Sequence, residues 1–314
     1  MSGHVFGPVP SRRLGFSLGV DPIPRKCCNF DCIYCQVGKT TRTETERKSF
    51  FDREKLVAEV LDHLQQARTV EIVTFSGSGE PTLNKDLGWM LRELKKKIGT
   101  PLAVITNGSL LFQEDVREDL LAADVVLPSL DAVIEETFRT INRPHTSISV
   151  DRVVQGLRTF SSVYKGKIWL EIMFARGIND TAEELERFRT VLSGISIDKI
   201  QLNTITRPAP DEAAKPLETA ELLKIRQLLG ARCEIITGFD KRSEALGMDD
   251  WVARVLAILE RRSLTVDDVA SVTGISRDDA QLRLRMLESQ QLLRAIQQGD
   301  MLFYVLAEKS DIRP

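Results

Sequence analysis

The sequence predicts an α/β fold built on a parallel sheet, followed by a small helical domain. Three observations support that expectation. Six short apolar runs alternate with segments of helical periodicity between residues 17 and 203, the pattern of repeated βαβ units joined by right-handed crossovers. Some of those runs are continuously apolar, as in strands covered on both faces. From about residue 250 the pattern changes to helices and closes on a hairpin. At 314 residues the chain has room for one domain of ~200–250 residues and a smaller one. Periodicity alone does not choose between a full or partial barrel and a doubly wound sheet.

Taken in order, the first strand is expected at 17–21, stopped by Pro22 and Pro24, which cannot continue a ladder. A polar stretch, 38–48, precedes a helix over 52–67 with Leu56, Val57, Val60, Leu61 and Leu64 at helical spacing. The run 70–76 reads as a buried strand leading straight into Gly77-Ser78-Gly79-Glu80-Pro81. Helices over 86–97, 113–122, 151–162 and 182–192 then alternate with strands at 102–106, 125–129, 168–174 and 197–203. Pro208, Pro210 and Pro216 mark 206–216 as a linker or a loop across the sheet's mouth. A helix over 217–229, a strand at 233–237 and a second linker at 238–247 follow. Helices over 251–260, 265–272 and 277–290, with Gly274 turning between the last two, lead to a hairpin of 292–296 and 301–306. Three helices and a two-stranded hairpin resemble a winged helix-turn-helix. On its last helix, Leu282 and Met286 form the stripe expected to bury. The expected division is 1–206 for the core, 207–248 for a linker and extension, and 249–314 for the terminal domain.

A charged fraction of 28% and a hydrophobic fraction of 42% are those of an ordinary globular protein. No apolar run approaches the ~20 residues that span a bilayer. The first eleven residues lack a signal peptide's pattern, so no membrane and a cytoplasmic location are expected. Residues 1–48 hold eight Lys or Arg against four Asp or Glu, a net +4, while the whole chain is −2. Such a basic rim suits an acidic electron donor or a phosphate-bearing substrate, or is scattered surface charge. Five cysteines, three of them crowded together, fit a reducing compartment better than a disulfide framework.

Those three are Cys28, Cys32 and Cys35, spaced C-x3-C-x2-C with Tyr34 before the last. A cubane iron–sulfur cluster usually takes four thiolates, so three leave one iron open to a small molecule. A zinc knuckle would want a fourth Cys or His nearby, and none is offered. Buried cysteines acting as small hydrophobes do not explain three within eight residues. Cys27 breaks the spacing and reads as a neighbour. On the fifth strand Glu171 and Met173 share a face, and Gln201 and Asn203 are polar insertions in the sixth. An acid in an apolar strand would be costly to bury without a partner, so any of these four can face a substrate. Cys233 is a weak catalytic candidate, more simply a buried inert thiol.

The cysteine spacing resembles that of the radical S-adenosylmethionine (AdoMet) superfamily, over about residues 10–205. The resemblance implies a partial (β/α)6 TIM-like barrel with its site at the C-terminal strand ends. It implies a [4Fe-4S] cluster on Cys28, Cys32 and Cys35, with the open iron holding AdoMet. It also implies AdoMet contacts from Tyr34 (adenine), from Ser78, Gly79 and Glu80 (amino group), and from Asn107, Ser129, Asp131 and Met173. The physics suits the glycine-rich turn, because Gly permits close backbone approach and a carboxylate accepts from an ammonium. The implied activity is reductive cleavage of AdoMet to a 5′-deoxyadenosyl radical that takes hydrogen from a substrate, driven by a donor such as a flavodoxin or ferredoxin. The Pro10 to Gly15 opening, Gly-Ser-Gly-Glu-Pro-Thr and Thr-Asn-Gly-Ser are similar to bacterial proteins grouped with wyosine-type tRNA base synthases. Those synthases use further upstream cysteines, whereas only Cys27 and Cys233 remain here. A glycyl-radical activase, a peptide-modifying enzyme and an iron–sulfur-sensing DNA-binding regulator are the other readings, leaving RNA, peptide or small molecule as substrate. Against DNA, residues 249–314 hold nine Lys or Arg and eleven Asp or Glu, where DNA binders are usually basic.

Overall fold

A computed structural model describes residues 3–67, 69–236 and 251–307. The expected linker at 238–247 lies outside the described residues, as does the last residue of the strand expected at 233–237.

The chain opens on a hairpin, β1 (Val5–Ser11) and β2 (Gly15–Val20). A short pair, β3 (Cys27–Cys28) and β4 (Arg42–Thr43), brackets the cysteine loop. The alternation then runs α1 (Arg53–Gln66), β5 (Ile72–Phe75), α2 (Leu87–Lys97), β6 (Leu102–Thr106), α3 (Glu114–Leu120), β7 (Val125–Pro128), α4 (Glu135–Ile141) and α5 (Val150–Val163). It continues with β8 (Lys167–Phe174), α6 (Ala182–Ser193), β9 (Lys199–Thr204), α7 (Thr219–Leu229) and β10 (Cys233–Ile235). The terminal unit is α8 (Trp251–Leu259), α9 (Val266–Thr273), α10 (Arg277–Ser289), β11 (Leu293–Gln298) and β12 (Met301–Leu306). Local chemistry sets several helix starts. Asp52, Ser149 and Thr181 each accept from the backbone N–H three residues on, and Thr265 forms a capping box with Asp268. Gly274 ends α9 in the left-handed region, at φ 68°.

Eight strands form one sheet in the order β1-β2-β5-β6-β7-β8-β9-β10. From β2 onward every pair is parallel; only β1 runs antiparallel, on the outer edge. A doubly wound sheet reverses its order at a switch point, and here there is no reversal. Successive right-handed crossovers therefore place the helices on one side, and the sheet curls around the other into a partial barrel. Strand alternation divides the residues accordingly. Val73, Val104, Val126, Leu170 and Leu202 join the large core beneath the helices. Leu14, Ile72, Ala103, Val125 and Leu127 pack together on the opposite face. Further toward the C-terminal strand ends, that face turns polar with Thr74, Glu171 and Asn203.

Besides the two-residue strands β3 and β4, two elements were not expected: β1, whose Pro8 and Pro10 argue against a ladder but sit on an edge strand, and α4. In the terminal unit the expected stripe is corrected. Leu282 and Met286 are 69% and 48% exposed, and Ala280, Leu284 and Leu287 are buried instead. Both sets satisfy helical spacing, so the face is chosen by what lies across it. Across it lie Val255, Ile258 and Val269, in a cluster that also takes Phe6 and Val9 from β1. The terminal helices thus share a core with the first hairpin. Among the described residues no helix is long and apolar enough to cross a membrane.

Candidate active site

The cysteine loop leaves the C-terminal end of β2 and is pinned from three sides. Beneath it, Lys26 N donates to Ser78 O (2.8 Å) and Glu80 N donates to Cys27 O (3.1 Å). A Cβ on Gly79 would lie 1.9 Å from that same carbonyl oxygen, so the glycine here lets two backbones meet. From α4 and its end, Asn142 O accepts from Asp31 N (3.1 Å) and Ile141 O from Ile33 N (3.0 Å). From the loop after β6, Ser109 Oγ accepts from Asn29 Nδ2 (2.7 Å), and Asn107 Nδ2 donates to Asn29 Oδ1 (2.8 Å).

Cys28, Cys32 and Cys35 are free thiols and line one cavity. Burial pushes the Cys28 thiol up to about 12, with Glu80 adding to it, and raises Cys32 well above the usual thiol range, with Asp131 adding. Such thiols ionise only beside a compensating positive charge, which iron supplies. Lys26 Nζ is buried with no hydrogen-bond partner; burial lowers its pKa, while Cys35, Asp31 and Cys28 favour its charge. An orphaned ammonium at this loop fits a group of net negative charge, and the donor set fits a cluster with one iron unligated by protein. Among the described residues no three Cys, His, Asp or Glu side chains close on a single ion. Thiolates that each take a different iron do not need to.

Two buried carboxylates organise the rim. Glu80 Oε1 accepts from Thr82 N (3.0 Å), Thr82 Oγ1 (2.6 Å) and Thr106 Oγ1 (2.6 Å), and Oε2 accepts from Asn107 N (2.7 Å). With about four lone-pair directions on a carboxylate, Oε2 keeps one free. Burial raises the Glu80 pKa against these bonds. Asp131 accepts from the Tyr34 hydroxyl, from Asn142 Nδ2 (2.7 Å) and from Met173 N (2.8 Å). Burial pushes it up to about 6 despite those donors.

The structure brings Tyr34, Gly79, Glu80, Asn107, Ser129 and Asp131 to the cavity that holds the three cysteines, together with Met173. Ser78 is turned away from it, its N and Oγ donating to Asp21 (3.2 and 2.6 Å). Cys27 is fully buried in the large core. Cys233 lies in that core on β10, where burial raises its thiol to about 11. Glu171 and Asn203 line the cavity, whereas Gln201 donates to Glu234 (2.9 Å). Sequence reasoning missed Asn142, which donates both to Asp131 and to Cys32 Sγ (3.5 Å); it ends a helix that no strong periodicity announces. Of the arginines in the cavity wall it singled out only Arg12 and Arg13, within the basic stretch 1–48, and gave Arg207, Arg261 and Arg262 no role. The cavity, about 390 Å³, extends from the cysteines to Arg12, Arg13, Arg207, Arg261 and Arg262.

The Radical SAM superfamily profile matches residues 23–189. The chain is 43% identical over 232 residues to a GTPase Obg of Brachyspira hyodysenteriae, an alignment covering 74% of this chain and 34% of that protein, so it spans only about a third of that relative. It is 32% identical over 311 residues to a UPF0026 protein of Methanocaldococcus jannaschii, covering 97% and 96%. In fold it is similar to a radical SAM methyltransferase from Sphaerobacter thermophilus, with a TM-score of 0.55, 18% identity and coverage of 70% and 65%.

Proposed function

The chain belongs to the radical SAM superfamily, whose members are enzymes using a [4Fe-4S] cluster and AdoMet, and from that premise we propose that it takes a hydrogen atom from a small-molecule substrate held in this cavity. The observation that supports this best is the convergence of three free thiols, Tyr34, Glu80 and Asp131 on one cavity at the C-terminal strand ends. When bound, the cluster and AdoMet supply the reductive carbon–sulfur cleavage that makes hydrogen abstraction possible.

The chain's own residues bind, orient and shield. Cys28, Cys32 and Cys35 would hold the cluster, with the Lys26 ammonium offsetting its charge and Asn142 steadying Cys32 Sγ. Glu80 would offer its free Oε2 direction to the AdoMet ammonium, while its other bonds tie the loop after β5 to the end of β6. Asp131 fixes the Tyr34 ring through the phenol and so sets where an adenine can lie. Ile105, Leu130 and Met173 line the same cavity and exclude water. Exposed cations on either side of the cysteine loop in sequence, Arg25 and Lys39, suit an acidic flavodoxin or ferredoxin. We read the terminal unit as a winged-helix-like wall of the cavity and not a reader of DNA, and we place the enzyme in the cytoplasm.

The test is anaerobic incubation of reconstituted protein with AdoMet and dithionite. We expect slow formation of 5′-deoxyadenosine, abolished in Cys32→Ala. Glu80→Ala should weaken AdoMet binding while keeping iron. S-adenosylhomocysteine as the sole product would overturn the reading.

A further inference from the structure

Four guanidinium groups from distant parts of the chain gather in the cavity wall. Arg12 and Arg13 come from the β1–β2 turn, Arg207 follows β9, and Arg262 follows α8. Two carboxylates face them. Glu171 pairs with Arg13 at 2.7 Å, and Asp268 with Arg207 at 3.3 Å and Arg262 at 3.8 Å. Four cations against two anions leave a net +2. Arg12 makes no ion pair or hydrogen bond to any described residue. Arg262 Nε and Nη2 are sealed from solvent with no hydrogen-bond partner, while its Nη1 only reaches Pro10 O at 3.5 Å. Burial first and repulsion from Arg207 second lower the pKa of Arg12, and the same two causes together bring Arg262 down to about 10.

Buried guanidiniums keep their protons, so this wall carries charge that the described residues leave unneutralised. Unpaired buried charge is destabilising unless a counter-charge arrives. We propose that the cluster is the phosphate subsite of the substrate, and that the substrate is a phosphorylated small molecule. A phosphate monoester carries about −1.5 to −2 charges near pH 7, which matches the excess of two, whereas a lone carboxylate leaves half of it. Arginine forks bind phosphate oxygens in pairs. The terminal unit, by contributing Arg262 and the Asp268 that steers Arg207, becomes part of the substrate site. This inference rests on the cavity being the substrate site of a radical SAM enzyme.

The test uses the full chain carrying its cluster, titrated anaerobically with inorganic phosphate and followed by calorimetry and phosphorus NMR line width. We expect one site with Kd of about 1 mM or tighter, weakened at least tenfold in Arg12→Gln and unchanged in Arg187→Gln, on exposed α6. Arg12 is chosen because among the described residues it has no partner whose loss would unfold the chain; Arg262→Gln is a second variant. Equal phosphate affinity in Arg12→Gln and wild type would overturn the proposal. A parallel tenfold loss of AdoMet affinity would overturn it too, by assigning the cluster to the AdoMet carboxylate. A single-stranded RNA binding a hundredfold tighter than phosphate, through Arg12, would likewise replace the small molecule with nucleic acid. Phosphate binding is read without turnover, so its failure is separable from a failure to form 5′-deoxyadenosine.

Discussion

Replacing Gly79 with alanine tests how the cysteine loop is seated. The added Cβ would stand 1.9 Å from Cys27 O and 2.8 Å from Cys27 C, both backbone atoms. To reach 3.0 Å, below which real Cβ contacts essentially never fall, that carbonyl must retreat by about 1.1 Å. The carbonyl accepts from Glu80 N, and Lys26 N donates to Ser78 O one residue earlier, so both bonds are pulled. Overpacking costs about 1–3 kcal/mol and each weakened hydrogen bond up to about 1 kcal/mol, a total of roughly 1–5 kcal/mol. At ~2–4 °C per kcal/mol for a domain of this size, Tm should fall by roughly 2–20 °C. Because Cys28 is the next residue, iron and sulfide after reconstitution should fall as well. Gly99 has nothing within 4 Å, so Gly99→Ala is the control and should change neither quantity. Gly79→Ala with wild-type iron content and a Tm within a degree of wild type would refute the reasoning.

Changing Cys27 to Ala should leave the cluster in place, whereas changing Cys28, Cys32 or Cys35 should remove it, as iron counts will report. Asp131, raised from 3.8 to about 6 by burial, is a carboxyl whose neutral form the fold prefers. Its contribution to stability is fully present below pH 3.8 and lost as pH rises through about 6, a change of about 3 kcal/mol. Urea melts of the cluster-free chain should therefore show Asp131→Asn gaining on wild type by about that much between pH 4 and 7, and parallel pH profiles would contradict it. Phe6 is 9% exposed within the cluster shared with the terminal helices, and its ring lies under the Arg261 guanidinium at 4.5 Å. Phe6→Ala should cost about 3–5 kcal/mol and speed amide exchange in α8–α10; exchange confined to β1 would contradict it.

Much of the barrel was legible because parallel strands covered on both faces leave uninterrupted apolar runs, as at Ile72–Phe75 and Leu102–Thr106. The edge strand β1 was hidden by Pro8 and Pro10, which an edge tolerates and an interior strand does not. Helix α4 buries only Phe138 and Ile141, too few for a periodic signal. On α10 two stripes share the same period, and Ala280 in the buried one is less conspicuous than Leu282 in the exposed one. At the site, the cysteines were legible because cluster ligation writes its spacing into one loop. Ser78 and Glu80 are separated only by Gly79 in the glycine-rich turn, yet one side chain bonds Asp21 and the other reaches the cavity, a distinction of backbone direction. The arginine wall was invisible for a different reason. Arg12, Arg207 and Arg262 are spread over 251 positions of the chain, and only the curl of the sheet and the docking of α8 bring them together.

The central claim is that three thiolates hold a cluster whose remaining iron is open to AdoMet. Electron paramagnetic resonance of the dithionite-reduced protein, with and without AdoMet, tests it most directly. We predict a reduced [4Fe-4S] signal whose g-values shift on adding AdoMet, with the shift diminished in Glu80→Ala and the signal absent in Cys32→Ala. A signal indifferent to AdoMet, or stoichiometric zinc in place of iron, would contradict the account.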